Sequence, residues 1–133
     1  METPRPVNLR LDGRIAIVTG ASRGIGRGIA LALAEAGATV VCAARDLVRL
    51  ETVVAEIAAA GGKASAQVVD VNSRASIDAL IAGTVAAHGR IDILVNNAGI
   101  TRDTLLLRMK QADWDEVIAT NLTSVFASTQ AVM

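Results

Sequence analysis

Ile15-Ala16-Ile17-Val18-Thr19-Gly20-Ala21-Ser22-Arg23-Gly24-Ile25-Gly26 is the stretch from which the fold is read. Its first four residues are apolar and three are β-branched, so they form a strand with no solvent side, buried on both faces. Three glycines then free the backbone where the chain must turn, and helical periodicity resumes beyond Gly24. A strand that feeds a helix through such a turn points the amide-rich helix start at whatever occupies the turn, a geometry suited to a phosphate. The spacing is Gly-x-x-x-Gly-x-Gly rather than Gly-x-Gly-x-x-Gly. Read alone, the loop is therefore also compatible with an ordinary strand-to-helix turn.

Outward from this loop, short Val- and Ile-rich runs alternate with longer segments of helical period. Strand one spans Arg14 to Thr19, and its helix runs from about Ile25 to Ala36, with Gly37 as a left-handed cap. Strand two is Thr39 to Ala43. Its helix, about Leu47 to Ala60, carries Leu47, Leu50, Val54 and Ile57 on one face and ends at Gly61-Gly62. Strand three is Ala64 to Val69; the next helix starts at an N-cap, Asn72 or Ser73, presents Ile77, Leu80, Ile81 and Val85 inward and closes before Gly89. Strand four is Ile91 to Val95, and a last helix runs from about Gln111 to the chain end.

Alternation of strand and helix predicts an α/β fold, a doubly wound parallel sheet of Rossmann-like type. Right-handed crossovers give strand order 3-2-1-4, truncated after about four strands, with a switch point between strands one and four. Both the Gly20–Gly26 loop and the Asn96–Gly99 loop then meet at the carboxyl ends of those strands. Residues 1–10 read as a tail and 11–133 as one domain, incomplete at its C-terminus.

Composition narrows the function classes. Thirteen basic and thirteen acidic residues cancel without a basic cluster, so nucleic acid is not expected as a partner. Hydrophobic residues make up 52% and aromatic residues 2%, so small aliphatic side chains must do the packing. The single cysteine, Cys42, sits in an apolar run and reads as a buried thiol without disulfide partner or metal-ligand companions; no metal site is expected. The N-terminus lacks a signal-peptide core and no apolar span is long enough for a bilayer, which predicts a soluble cytoplasmic protein without a membrane partner.

In this context the loop resembles the Thr-Gly-x-x-x-Gly-x-Gly signature of the short-chain dehydrogenase/reductase family. Asp70-Val71 after strand three, Asn96-Asn97-Ala98-Gly99 after strand four and Asn121 on the last helix resemble the family's further marks, so the likeness spans nearly the whole chain. Asn96 through Asp103, Leu106, Arg108-Met109, Trp114, Asn121-Leu122 and Val125-Phe126 look most like the family's 3-oxoacyl-[acyl-carrier-protein] reductases. The resemblance implies that Gly20, Ser22, Arg23, Gly24, Ile25 and Gly26 hold a pyrophosphate and the adjoining ribose. It further implies that Asp70 and Val71 flank an adenine and that Asn97, Ala98 and Gly99 line the cofactor crevice. Asp70 also suits a helix N-terminus, and the Asn-Asn-Ala-Gly run is also a polar turn closing a strand.

Strand two ends Ala43-Ala44-Arg45-Asp46. Domains that bind NAD commonly carry an acid here to hold the ribose 2′-hydroxyl, whereas an arginine accommodates a 2′-phosphate. In the family the discriminating acid falls where Ala44 stands. Arg45, with Arg23, therefore favours NADP (NADPH) over NAD. Asp46 could reach a hydroxyl but also suits an N-cap.

The resemblance implies a hydride-transferring oxidoreductase with a Ser, a Tyr, a Lys and an Asn at the reaction site. Asn121 matches the Asn. The chain has no tyrosine, and its lysines, Lys63 and Lys110, lie elsewhere. Ser124 and Ser128 share the helix of Asn121 rather than a following strand, and His88 reads as a helix-terminal cation. The expected function is NADPH-dependent reduction of a small-molecule or carrier-bound acyl substrate, a 3-oxoacyl thioester, to its 3-hydroxy form, with this truncated chain inactive alone. The alternatives are a non-catalytic nucleotide-binding or assembly half-domain needing a complementary chain, and a broken product without function. Apolar Ile91–Val95 and the last helix, with Val117, Ile118, Val125 and Phe126, predict homo-oligomerisation or other association.

Overall fold

A computed structural model describes residues 10–99 and 108–133. The tail before Arg10 and the run Ile100 to Asp103 with Leu106 lie outside the described residues. Strands β1 (Ile15–Thr19), β2 (Thr39–Ala44), β3 (Lys63–Val68) and β4 (Ile93–Val95) form one parallel sheet in the order β3-β2-β1-β4. Helices α1 (Gly24–Glu35), α2 (Leu47–Ala59) and α3 (Arg74–His88) make the crossovers. The last helical run comprises α4 (Gln111–Ile118), a π-turn at Ala119–Thr123 and α5 (Ser124–Val132). The expected architecture and strand order are thus present.

Every residue of β1 is buried, as its lack of a polar side requires. Its register against β2 runs from Ile15 beside Thr39 to Thr19 beside Ala43, and against β4 from Ala16 beside Ile93 to Val18 beside Val95. Alternate residues then feed two cores. Ala16, Val18, Val40 and Cys42 pack on one face with Ala30 and Ala34 of α1 and Leu50, Val53 and Ile57 of α2. Ile17, Val41 and Ala43 pack on the other with Ile77 and Leu80 of α3 and with Ala127 and Ala131 of α5. Full burial of an aliphatic side chain such as Ile17 stabilises by about 1.5–3 kcal/mol.

Local signals set the helix ends. Asp46 caps α2 by accepting from the Arg49 backbone N–H at 3.1 Å, and Ser73, not Asn72, caps α3 by accepting from that of Ser76 at 3.2 Å. Two expected inward residues face solvent: Leu47 and Val85 are 43% and 44% exposed. In α2 the buried stripe is Leu50-Val53-Ile57, with Val54 only partly buried. In α3 Thr84 takes the inward place beside Val85, because its hydroxyl donates to the Leu80 carbonyl at 2.8 Å and so needs no water. The ladder of β4 starts two residues later than expected, at Ile93.

At the amino ends of β1 and β4, Asp92 accepts from the Ile15 N–H at 2.8 Å and from Arg90 Nε at 2.9 Å, while its own N–H donates to the Ile15 carbonyl at 2.9 Å. This clasp holds β4 in register beside β1 and leaves the opposite, carboxyl ends open for a site.

Candidate functional site

A cleft of about 680 Å³ opens at the carboxyl ends of the strands. Gly20, Ser22, Arg23, Gly24 and Ile25 form one wall. Arg45, with Asp46 and Arg49, stands at the end of β2; Val71 lines the side toward β3, and Asn97, Ala98 and Gly99 the side toward β4. Residues far apart in sequence thus converge at the strand-order switch point, where open α/β sheets bind their ligands.

Thr19 ties the two loops together. Its hydroxyl donates to the Val95 carbonyl at 3.2 Å and accepts from the backbone N–H groups of Asn97 at 3.0 Å and Ala98 at 3.1 Å. The Asn97 side chain in turn donates to the Gly20 carbonyl at 3.3 Å. Sequence reading placed Thr19 in the motif and gave it no role. A hydroxyl at the end of an otherwise apolar strand was the available signal.

Gly20 and Gly24 adopt φ of +66° and +60°, a region costly for other residues. Gly24 has open space where a Cβ would stand. Gly26 does not reach the cleft: it lies behind the wall, its backbone pressed against Gly20. At the start of α1, Arg23 occupies the N-cap without a side-chain hydrogen bond, and the first turn holds no acidic residue. The leading N–H groups and the Arg23 guanidinium are chemically fitted to an anion.

Of its two expected roles, reaching a ribose hydroxyl or capping a helix, Asp46 takes the second. One carboxylate oxygen caps α2 and the other lies 3.4 Å from Arg49 Nε. Arg49, which the sequence reading passed over, thereby joins Arg23 and Arg45 on the cleft wall. Its position one helical turn past the end of β2 was the signal.

Asp70 is not among the residues that line the cleft; it pairs with Arg45, which does, the Arg45 Nη2 donating to Asp70 Oδ1 at 3.0 Å. The same oxygen accepts from the Asn72 N–H at 3.0 Å. This backbone hydrogen bond, helped by Arg45 and opposed by partial burial, holds the Asp70 carboxyl below the usual carboxylate range. Asp70 does not cap α3, which Ser73 does.

Asn121 lies in the π-turn, behind Gly99: its Oδ1 is 3.1 Å from the position a Cβ on Gly99 would take. The neighbouring Thr120 lines the cleft and is buried, as are Ser124 and Ser128. The sequence predicts an unbroken helix here, assigns no role to Thr120, and offers its partner Asn72 only as a possible cap of α3, a place Ser73 takes.

A Rossmann-type sheet with a glycine turn at its switch point defines a nucleotide-binding class, and the chain belongs to the short chain dehydrogenase family, whose family model matches residues 14–133. Among curated relatives, it is 54% identical over 123 residues to the 3-oxoacyl-[acyl-carrier-protein] reductase of Synechocystis sp., covering 92% of this chain and 50% of that protein. To the enzyme of the same name from Escherichia coli it is 46% identical over 125 residues, covering 94% and 50%. The chain therefore spans about half the length of these relatives. Among solved structures, a metagenomic short-chain oxidoreductase in complex with NADP superposes with a TM-score of 0.87 at 48% identity, over 91% of this chain and 55% of that one. A short-chain type dehydrogenase/reductase from Mycobacterium marinum gives a TM-score of 0.91 at 41% identity, over 93% and 50%.

Proposed function

We propose that these residues form the cofactor-binding half of an NADPH-dependent reductase that converts a 3-oxoacyl thioester, carried on acyl carrier protein, to the 3-hydroxy form. The observation that carries the reading is the arginine group at the end of β2: Arg45 and Arg49 line the cleft with Arg23, while Asp46 is engaged as the cap of α2. A guanidinium cluster whose neighbouring acid, Asp46, caps α2 favours a ribose 2′-phosphate over a free hydroxyl. The names of the relatives above support the thioester substrate.

The nicotinamide, when bound, supplies the hydride that the carbonyl carbon accepts. The chain's own residues bind and orient. Backbone N–H groups from Gly20 to Ile25, at the turn and the start of α1, would hold the pyrophosphate, with Ser22 and Ile25 beside the ribose and Gly26 packed behind them. Asp70 would accept from the adenine amino group while Val71 packs beside the ring. Asn97, Ala98 and Gly99 would wall the nicotinamide side, and Asn121, backed on Gly99, would shape the path by which a proton reaches the product oxygen. The general acid, a Tyr in the family, has no counterpart in this tyrosine-free sequence. Such an acid is worth roughly 10²–10⁴-fold in rate, and the role these residues can fill is to bind and orient the nucleotide.

Titration of the purified protein with NADPH and NADH, followed by nicotinamide fluorescence, tests the reading. NADPH is expected to bind more tightly, and Arg45→Ala to weaken NADPH roughly 10- to 100-fold, the range for a charge-assisted hydrogen bond, with little effect on NADH. Equal affinity for both nucleotides, unaltered in the variant, would refute the NADP reading.

A second reading is a binding half-domain that associates with a chain carrying the Ser, Tyr and Lys, or with its own copy. Leu122 and Phe126, 64% and 65% exposed and four residues apart on the last helical run, support it. Turnover restored by adding the complementary half, or a dimer seen by light scattering, would favour that reading; a monomer that gains no activity would exclude it.

A further inference from the structure

The π-turn is held from outside the helix. Asn72, in the turn between β3 and α3, donates from Nδ2 to Thr120 Oγ1 at 3.0 Å, and Thr120 Oγ1 lies 3.2 Å from Asn72 Oδ1. Thr120 is 5% exposed, so this hydroxyl is satisfied by one partner across 48 positions of sequence. From the other side, the Ser124 hydroxyl donates to the Thr120 carbonyl. A π-turn inserts one residue into the helical repeat and persists where its surroundings over-determine it. Here the residue it re-aims is Asn121, whose carboxamide backs on Gly99.

We propose that Asn72 and Thr120 are a positioning pair: their side-chain bond fixes the π-turn and thereby sets the Asn121 carboxamide against Gly99 at the cleft. The inference rests on reading Asn121 as a residue of the reaction site, but its geometric part stands apart from any activity. A regular helix through Ala119–Thr123 would turn Asn121 about 100° away, since each added residue shifts the helical phase by that amount. The bond also joins the turn that follows Asp70 and Val71, on the adenine side, to the segment that carries Asn121.

The test compares Thr120→Val, which removes the hydroxyl at nearly constant volume, with Thr120→Ser, which keeps it, in the purified full chain. The readouts are the side-chain amide resonances of Asn121 and Asn97 by NMR and amide hydrogen exchange. Thr120→Val is expected to move the Asn121 signal beyond its linewidth, to leave that of Asn97 in place, and to speed exchange across Asn121–Ser124 roughly two- to tenfold, the loss of one net hydrogen bond. Thr120→Ser is expected to restore both. Asn72→Ala, at the exposed end of the same bond, must reproduce the Thr120→Val shift if the latter fails to fold. A folded variant with an unmoved Asn121 signal overturns the proposal. Parallel titration with NADPH separates the two readings: a moved Asn121 signal in a protein that binds no nucleotide sinks the cofactor reading and leaves the positioning pair standing.

Discussion

A Cβ placed on Gly26 would stand 2.0 Å from the carbonyl oxygen of Gly20, and 2.4 Å from the Asn97 side-chain nitrogen. The first and last glycines of the loop are therefore in backbone contact, and the start of α1 sits tight under the turn it follows. Gly26→Ala must push this backbone apart and is expected to destabilise by about 1–3 kcal/mol. Gly28, in the same helix with open space at its Cβ, supplies the contrast: Gly28→Ala should stabilise by about 0.5–1 kcal/mol. Urea denaturation of the two variants beside the parent measures both, and a similar effect in each would contradict the close approach.

Replacing Thr19 by Val keeps the volume and removes the hydroxyl that accepts from the Asn97 and Ala98 N–H groups. Two part-buried donors lose their partner, at a cost of about 1–3 kcal/mol. Thr19→Ser should recover most of it. Chemical denaturation of the three proteins decides; equal stabilities would mean the loops are held by other contacts.

Asp92 controls an acid limb of stability. The Ile15 N–H, with Arg90 and Arg14 adding, holds its carboxyl below the usual carboxylate range against the opposing effect of burial. A group whose pKa is depressed on folding contributes stability above its unfolded pKa, about 3.9, and loses it as the pH falls through the folded value. Unfolding free energy should therefore decline as the pH drops below about 4, and the decline should be shallower in Asp92→Asn. Parallel slopes would place the titrating group elsewhere.

Cys42 is fully buried in β2, and burial pushes its thiol up to about 11. The thiolate is the reactive species, so at pH 8 a thiol reagent should leave the folded chain unlabelled and modify its single cysteine only after denaturant is added. Rapid labelling without denaturant would show that β2 opens.

Asp46→Ala removes the cap of α2 and the charge beside Arg49. The helix should lose about 1 kcal/mol. If the arginine group reads a 2′-phosphate, NADPH affinity should hold or rise in this variant, measured by the same fluorescence titration; a fall confined to NADH would instead assign Asp46 to a ribose hydroxyl.

Much of the fold was legible along the chain because its signals are local. Uninterrupted Val and Ile runs require strands buried on both faces, Gly37, Gly61 and Gly89 stop helices, and strand-helix alternation leaves few topologies. The glycine loop and the Asn96–Gly99 turn each follow a strand, so their meeting at one end of the sheet follows from strand order. Phase was less legible: Leu47 and Val85 are as apolar as their buried neighbours, and the choice of Val53 and Thr84 for the interior depended on the angle at which each helix lies on the sheet.

The sequence by itself determined the parallel sheet, its order and the loops at its switch point, since hydrophobic period and glycine placement act within a few residues. Only the tertiary structure decided how polar groups pair. Thr19 clasps the turn after β4, Asp46 is spent on its own helix and Arg49, Arg45 meets Asp70, and Asn72 reaches 48 positions along the chain to hold Thr120. Each is a short-range, directional bond between groups that composition and spacing leave free to find several partners, and only packing brings one of them within hydrogen-bonding reach.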